Sequence, residues 1–202
     1  MRAWRAVVAV CACSVVASSM AADTPDPYQE DRQALLKVFR EIEAGINDQN
    51  VDRMVAQMHP QATVTWLNGE ISRGHGEIKA YYDRMVKGEN RYLDKYLTAA
   101  KVEAPARFYG NGEVAVADGS MEDEFIPVSR ATFKLSSRWT STSVKIDGQW
   151  KVVSMHLSSN VFTNSLIAEA KDMVGYAGVG AALGGILVGW LLGRARKRVM
   201  PN

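Results

Sequence analysis

The sequence predicts an α+β domain with a membrane helix behind it, and three observations carry that reading. Apolar residues recur at helical spacing from about residue 31 onward, Asp147-Gly148 joins two long runs of β-branched and small residues, and residues 173–193 carry no charge. Helices first and long antiparallel strands afterwards is the α+β plan, in which helices cover one face of a sheet.

Residues 1–21 read as a secretory signal, with Arg2 and Arg5 at its basic start, an apolar stretch from Ala6 to Ser18, and Ser19-Met20-Ala21 as a small-x-small cleavage site. That apolar stretch is too short to cross about 30 Å of hydrocarbon. The alternatives to cleavage are an uncleaved anchor and lipidation at Cys13, because Val10-Cys11-Ala12-Cys13 loosely imitates a lipobox. Cys11 and Cys13 are the only cysteines, so a mature chain has neither disulfide, thiol nucleophile nor Cys-ligated zinc. No metal and no cofactor is expected.

Residues 22–29, with Pro25 and Pro27, form a linker, and the domain is expected over 30–162. From Asp31 to Gln49, Leu35, Val38, Phe39, Ile42 and Ile46 fall three and four apart with polar residues opposite, which is one buried stripe on an amphipathic helix. Val51–Met58 repeats the pattern briefly and stops before Pro60, which disfavours helical geometry at His59. Ala62–Leu67 reads as a strand ended by Asn68-Gly69, Glu70–Gly76 as a polar loop, and Glu77–Lys87 as a third helix.

Strand-like runs then follow at Tyr96–Glu103, Glu113–Phe125, Thr132–Ile146 and Gln149–Ser159, with Asn111-Gly112 marking a turn. Asp147-Gly148 is a strong hairpin signal, because both positions of a type I′ turn need positive φ. An unbroken ladder from that turn pairs Ile146 with Gln149, Ser141 with Ser154 and Trp139 with His156. Alternation then places Trp139, Ser141, Trp150, Val152 and His156 on one face.

Beyond a juxtamembrane segment, 163–172, the uncharged run 173–193 is long enough for a transmembrane helix, and the tail 194–202 opens with Arg194, Arg196, Lys197 and Arg198. Basic residues directly behind a span mark its cytoplasmic side. The expected topology is single-pass in a bacterial inner membrane, main domain periplasmic and C-terminus cytoplasmic. Ala177, Ala181, Gly185, Gly189 and Gly193 recur every four residues, a spacing that lets helix backbones approach, so this face is expected to support self-association or docking on another membrane protein. Between Ala22 and Asp172 there are 18 basic against 22 acidic residues, which disfavours a nucleic-acid partner.

Residues 28–162 resemble the SnoaL-like, nuclear transport factor 2-like superfamily. The resemblance rests on the element order, on Trp66-Leu67-Asn68-Gly69-Glu70, on Arg73-Gly74 before the third helix, and most specifically on Arg138-x-Thr140 with Asp147-Gly148-Gln149-Trp150. It implies a cystatin-like cone: a curved antiparallel sheet wrapped around three N-terminal helices, a pocket inside its open end, and a homodimer through the sheet. Members include isomerases, cyclases, hydrolases and pure binding or assembly modules, so the fold alone does not choose among them. Related branches carry two histidines spaced two apart on the last strand; Ser154 stands at the first place here, leaving His156 alone.

His156 is the candidate general base, with Asp118 and Glu122 as candidate catalytic carboxylates; Asp118, Glu122 and Glu124 share one strand face. The alternative for His156 is a structural histidine bonded to a neighbour, and for the acidic run a solvated face. Trp66, Tyr82, Arg138, Trp139 and His156 are the candidate ligand-binding set, Arg138 for an anion and the aromatics for a flat apolar molecule. Tyr82 and Trp150 have the alternative of plain core. The expected function is a membrane-anchored periplasmic module that binds a small apolar or amphipathic ligand or serves in assembly. Its rival is a pocket enzyme of isomerase, cyclase or hydrolase type that uses His156 with a carboxylate.

Overall fold

The computed structural model describes residues 26–199. The expected signal peptide, the alternative lipidation of Cys13 and the start of the linker lie outside the described residues.

Helix α1 (Gln29–Asn47) and the short α2 (Val51–Val55) lead into strand β1 (Met58–Thr65) and its partner β2 (Ile71–Arg73). Helix α3 (Gly74–Val86) follows, then β3 (Leu93–Val102), β4 (Arg107–Tyr109), β5 (Val114–Pro127), β6 (Phe133–Ile146) and β7 (Gln149–Ser159), and last α4 (Ser165–Val199). The strands form one sheet ordered β2-β1-β7-β6-β5-β3, with β4 also paired to β5. The helical stripe of α1 and that of α3 pack on one face of this curved sheet, which supplies the core through residues such as Val38, Ile42, Ile78, Val64 and Val152.

The α+β architecture with three helices ahead of the long strands agrees with the sequence expectation, and two features differ. The segment read as a polar loop, 70–76, contains β2 and the first turn of α3, because Ile71–Arg73 pairs back on Thr63–Thr65 around Asn68-Gly69. The sheet is mixed rather than antiparallel, since β1 runs parallel to β7. Turn residues specify antiparallel neighbours close in sequence; β1 and β7 meet only through tertiary packing, a contact no turn signal encodes.

The hairpin begins as expected. Asp147 and Gly148 adopt φ of 50° and 74°, and Ile146 pairs with Gln149. Four pairs on, the register shifts: Ser143 pairs with Val152 but Thr142 pairs with Ser154, so Val153 is a bulge. The expected pairing of Trp139 with His156 is therefore corrected to Trp139 with Leu157 and Thr140 with His156. A one-residue slip exchanges the faces of a strand, so beyond Val153 it is Met155 and Leu157 that point inward.

The N-terminus of α1 is clasped to the hairpin. The Asp31 carboxylate accepts from Lys145 Nζ at 2.6 Å and from Trp150 Nε1 at 2.9 Å. The Lys145 bond, followed by that of Trp150, holds the Asp31 carboxyl below its usual range. A lowered carboxyl pKa adds stability that is present above the unfolded value near 3.9 and is lost as pH falls through the folded value. Asp31→Asn should therefore lower stability by about 1–2 kcal/mol at pH 7, and its difference from the parent should shrink as urea unfolding is repeated below pH 4.

Helix α4 is long and apolar enough to cross a membrane over Ser165–Arg194, and none of that apolar stretch is buried in the fold. The helix starts at Ser165, so the expected juxtamembrane segment is itself its first two turns.

Candidate functional site

Strand alternation decides what faces the helices. On β5 the inward set includes Ala115, Ala117, Met121 and Phe125, and on β6 it includes Trp139, Ser141 and Ser143. With Leu35, Phe39 and Ile42 of α1 and Tyr81, Tyr82 and Met85 of α3, these side chains enclose a cavity of about 410 Å³. That volume lies in the range of small-molecule sites, which are mostly apolar with a few polar groups.

Aromatic pairs shape the walls. Trp66 stacks on Tyr81 with centroids 4.2 Å apart and rings 7° from parallel, Phe39 meets Trp139 at 5.3 Å, and Tyr96 stacks on Phe125 at 4.9 Å. Burial pushes the Tyr81 and Tyr82 phenols up to about 12, with secondary help from Glu70 and Asp83 respectively. Both are neutral hydroxyls at any ordinary pH. Tyr82 donates to the carbonyl of Ile46 at 3.3 Å, and Trp66 Nε1 donates to Ser72 Oγ at 2.9 Å. These two polar groups are thus spent on the protein, and the lining is mainly apolar.

One polar cluster stands at the wall. Asp123 is 1% exposed; Tyr96 Oη donates to its Oδ1 at 2.7 Å, and Ser137 Oγ donates to its Oδ2. Burial raises the Asp123 carboxyl above its ordinary range against the opposing effect of the Ser137 and Tyr96 hydroxyls. Burial above all, and then the Asp123 charge, drives the Tyr96 phenol far up. Tyr96 lines the cavity, whereas Asp123 stands behind it with both oxygens already accepting. Among the described residues two buried donors lack partners, Thr98 Oγ1 and Trp139 Nε1, on residues that also line the cavity.

Of the residues singled out from the sequence, Trp66, Tyr82 and Trp139 come together around this cavity. His156, Arg138, Asp118 and Glu122 do not line it. His156 is exposed on the outer face because the Val153 bulge turns it there. Arg138 pairs with Glu103 on that outer side. Asp118 pairs with Arg107 at 3.0 Å, and Glu122 accepts from Ser136 Oγ at 2.8 Å. Asp118, Glu122 and Glu124 do share one face, and it is the outward one. The inward acid of the same run, Asp123, went unnoticed in the sequence, although Met121-x-Asp123-x-Phe125 places it in phase with apolar neighbours.

The sequence matches the SnoaL-like domain family over residues 35–162. No curated protein matches it. Among solved structures, the hexachlorocyclohexane dehydrochlorinase LinA-type3 of Novosphingobium barchaimii LL02 superposes with a TM-score of 0.58 at 14% identity, covering 67% of this chain and 90% of that one. A nuclear transport factor 2-like superfamily protein from Salmonella enterica gives 0.54 at 18% identity over 66% and 94% of the two chains. An uncharacterized protein with a cystatin-like fold from Caulobacter vibrioides gives 0.56 at 16% over 72% and 98%. At these identities the likeness is one of fold, while the family match spans most of the domain: the chain belongs to the SnoaL-like domain family.

Proposed function

We propose that this protein is a single-pass, membrane-anchored SnoaL-like domain that binds a small apolar or amphipathic molecule inside its cone, with the domain on the periplasmic face of a bacterial inner membrane. The observation that carries the binding role is the 410 Å³ cavity, whose wall is mostly aliphatic and aromatic, with the Tyr82 hydroxyl and the Trp66 indole N–H turned to protein partners. A cavity of that character gains from desolvating an apolar guest and offers little to a highly charged one. The length and composition of α4, together with the basic residues that end it, support the anchor.

Acid-base catalysis through His156 has no support from its position, since a base must stand within hydrogen-bond reach of the proton it takes. Of the carboxylates near the cavity, Glu43 accepts from the Ala100 amide at 2.8 Å and Glu103 pairs with Arg138, while the buried Asp123 is joined to the wall through the Tyr96 hydroxyl. Binding is therefore the reading this site supports better than proton transfer.

Native mass spectrometry of the full chain purified in detergent tests it. A retained small molecule should be released on unfolding, and Ala117→Phe, which fills the cavity from β5, should reduce that species to background. A parent chain that carries nothing and takes up no added naphthalene-sized hydrocarbon would overturn the binding role, as would equal occupancy in Ala117→Phe.

A further inference from the structure

Helix α4 leaves the domain along a defined path. Ser165 Oγ donates to the carbonyl of Lys134, and one turn later Glu169 pairs with Arg130 at 2.7 Å. Passing from Ser165 to Glu169 on the helix thus accompanies passing backward from Lys134 to Arg130, so α4 runs antiparallel to β6 and out past the loop between β5 and β6. The Arg130 guanidinium also lies 4.7 Å over the Phe133 ring, which ties that loop to the first strand residue of β6.

The uncharged run begins at Met173, four residues beyond Glu169. Four residues of helix rise about 6 Å. A bilayer of about 40–45 Å with a core of about 30 Å has a headgroup layer of roughly 5–7 Å on each side. With the apolar run filling the core, the tip of the β5–β6 loop, level with Glu169, therefore stands in the headgroup layer.

The side chains at that tip suit the place. Val128 is 52% exposed and Tyr92, just before β3, is 64% exposed. The two are neighbours, because Val128 N donates to the Tyr92 carbonyl at 3.1 Å. Tyrosine is enriched at membrane interfaces, and arginine there reaches lipid phosphate. Alone, each exposed apolar residue would need no explanation; here they sit beside Arg130 at the depth the helix sets.

We propose that Tyr92, Val128 and Arg130 form a foot by which the domain rests on phospholipid headgroups, so that the cone is docked on the bilayer rather than swinging on its anchor. This inference rests on the reading of α4 as a membrane span. The test uses the full chain with Cys11 and Cys13 replaced by alanine, which leaves no other cysteine. An environment-sensitive fluorophore is placed at Val128→Cys or, beside the hairpin turn at the opposite end of β6, at Ile146→Cys. In phosphatidylcholine–phosphatidylglycerol vesicles, headgroup-spin-labelled lipid should quench the Val128 site about threefold or more beyond the Ile146 site, with a blue-shifted emission only at the former. Water-like emission and equal quenching at both sites, from a chain that resists alkaline extraction, would overturn the foot alone. Release of the chain by alkaline extraction would overturn the anchor, and the foot with it.

Discussion

Gly119→Ala is expected to be the most damaging single-methyl change in the domain. Gly119 lies on β5 opposite Trp139 of β6 and Val102 of β3. A Cβ built there would fall 1.9 Å from the Lys101 carbonyl oxygen and 2.8 Å from two atoms of the Trp139 indole. The first neighbour is backbone of an adjacent strand and the second a ring held against Phe39, so neither has a cheap way to move. Overpacking of this kind costs about 1–3 kcal/mol, and with two rigid neighbours the upper end is expected. For a chain of this size about 3 kcal/mol corresponds to a fall in Tm of roughly 6–12 °C. Gly76→Ala is the matched control, because no atom stands within 4 Å of its Cβ position and it lies within α3. That change should leave Tm unchanged or raise it slightly through helix propensity. Thermal unfolding of both variants checks the prediction, and a Gly119→Ala protein as stable as its parent would refute this account of the wall behind Trp139.

Asp123→Ala is expected to cost about 3 kcal/mol, by a different mechanism. The substitution removes the acceptor for Tyr96 and for Ser137, and Ser137 is 3% exposed, with no solvent to replace the lost bond. A stranded buried hydroxyl costs about 1–3 kcal/mol. Asp123→Asn should behave differently, since it keeps an acceptor and removes the ionisation. Burial raises the Asp123 pKa, so the folded state holds its proton more tightly than the unfolded one. Stability from this group is therefore greatest below the unfolded value near 3.9 and declines as pH rises through the folded value. The asparagine variant lacks that decline, so its stability relative to the parent should improve between pH 4 and pH 7. This trend is opposite in sign to that expected for Asp31→Asn. Denaturant unfolding at both pH values separates the two carboxylates, and a parent-like pH dependence in Asp123→Asn would show that the buried acid is not the source.

Much of this arrangement is legible in the residues. The stripe Leu35, Val38, Phe39, Ile42 and Ile46 lines the cavity from α1 as its spacing implies, because a helix that must bury one face repeats near 3.6. Asp147-Gly148 sets a turn that few other residue pairs enter, and the pairing next to it follows. Trp66, Tyr82 and Trp139 reach the cavity for the reason large aromatics usually do, their apolar area. The uncharged run before a basic cluster reads as a span from length alone.

What the sequence determines by itself, then, is what depends on neighbours within a few residues: helical stripes, strand alternation, turn type and the length of an apolar run. The tertiary structure alone decides the rest. β1 lies parallel to β7, and beside that junction Met58 pairs with Val152 while Thr63 pairs with Ser154, so both strands are irregular at the same place. The Val153 bulge accommodates this, and because side chains alternate with a period of two, one unpaired residue moves His156 outside and Leu157 inside. Asp123 faces the interior for the complementary reason: the phase of β5 is set by Met121 and Phe125, whose burial outweighs the cost of carrying one acid with them, and that acid is kept by hydroxyls contributed from two neighbouring strands.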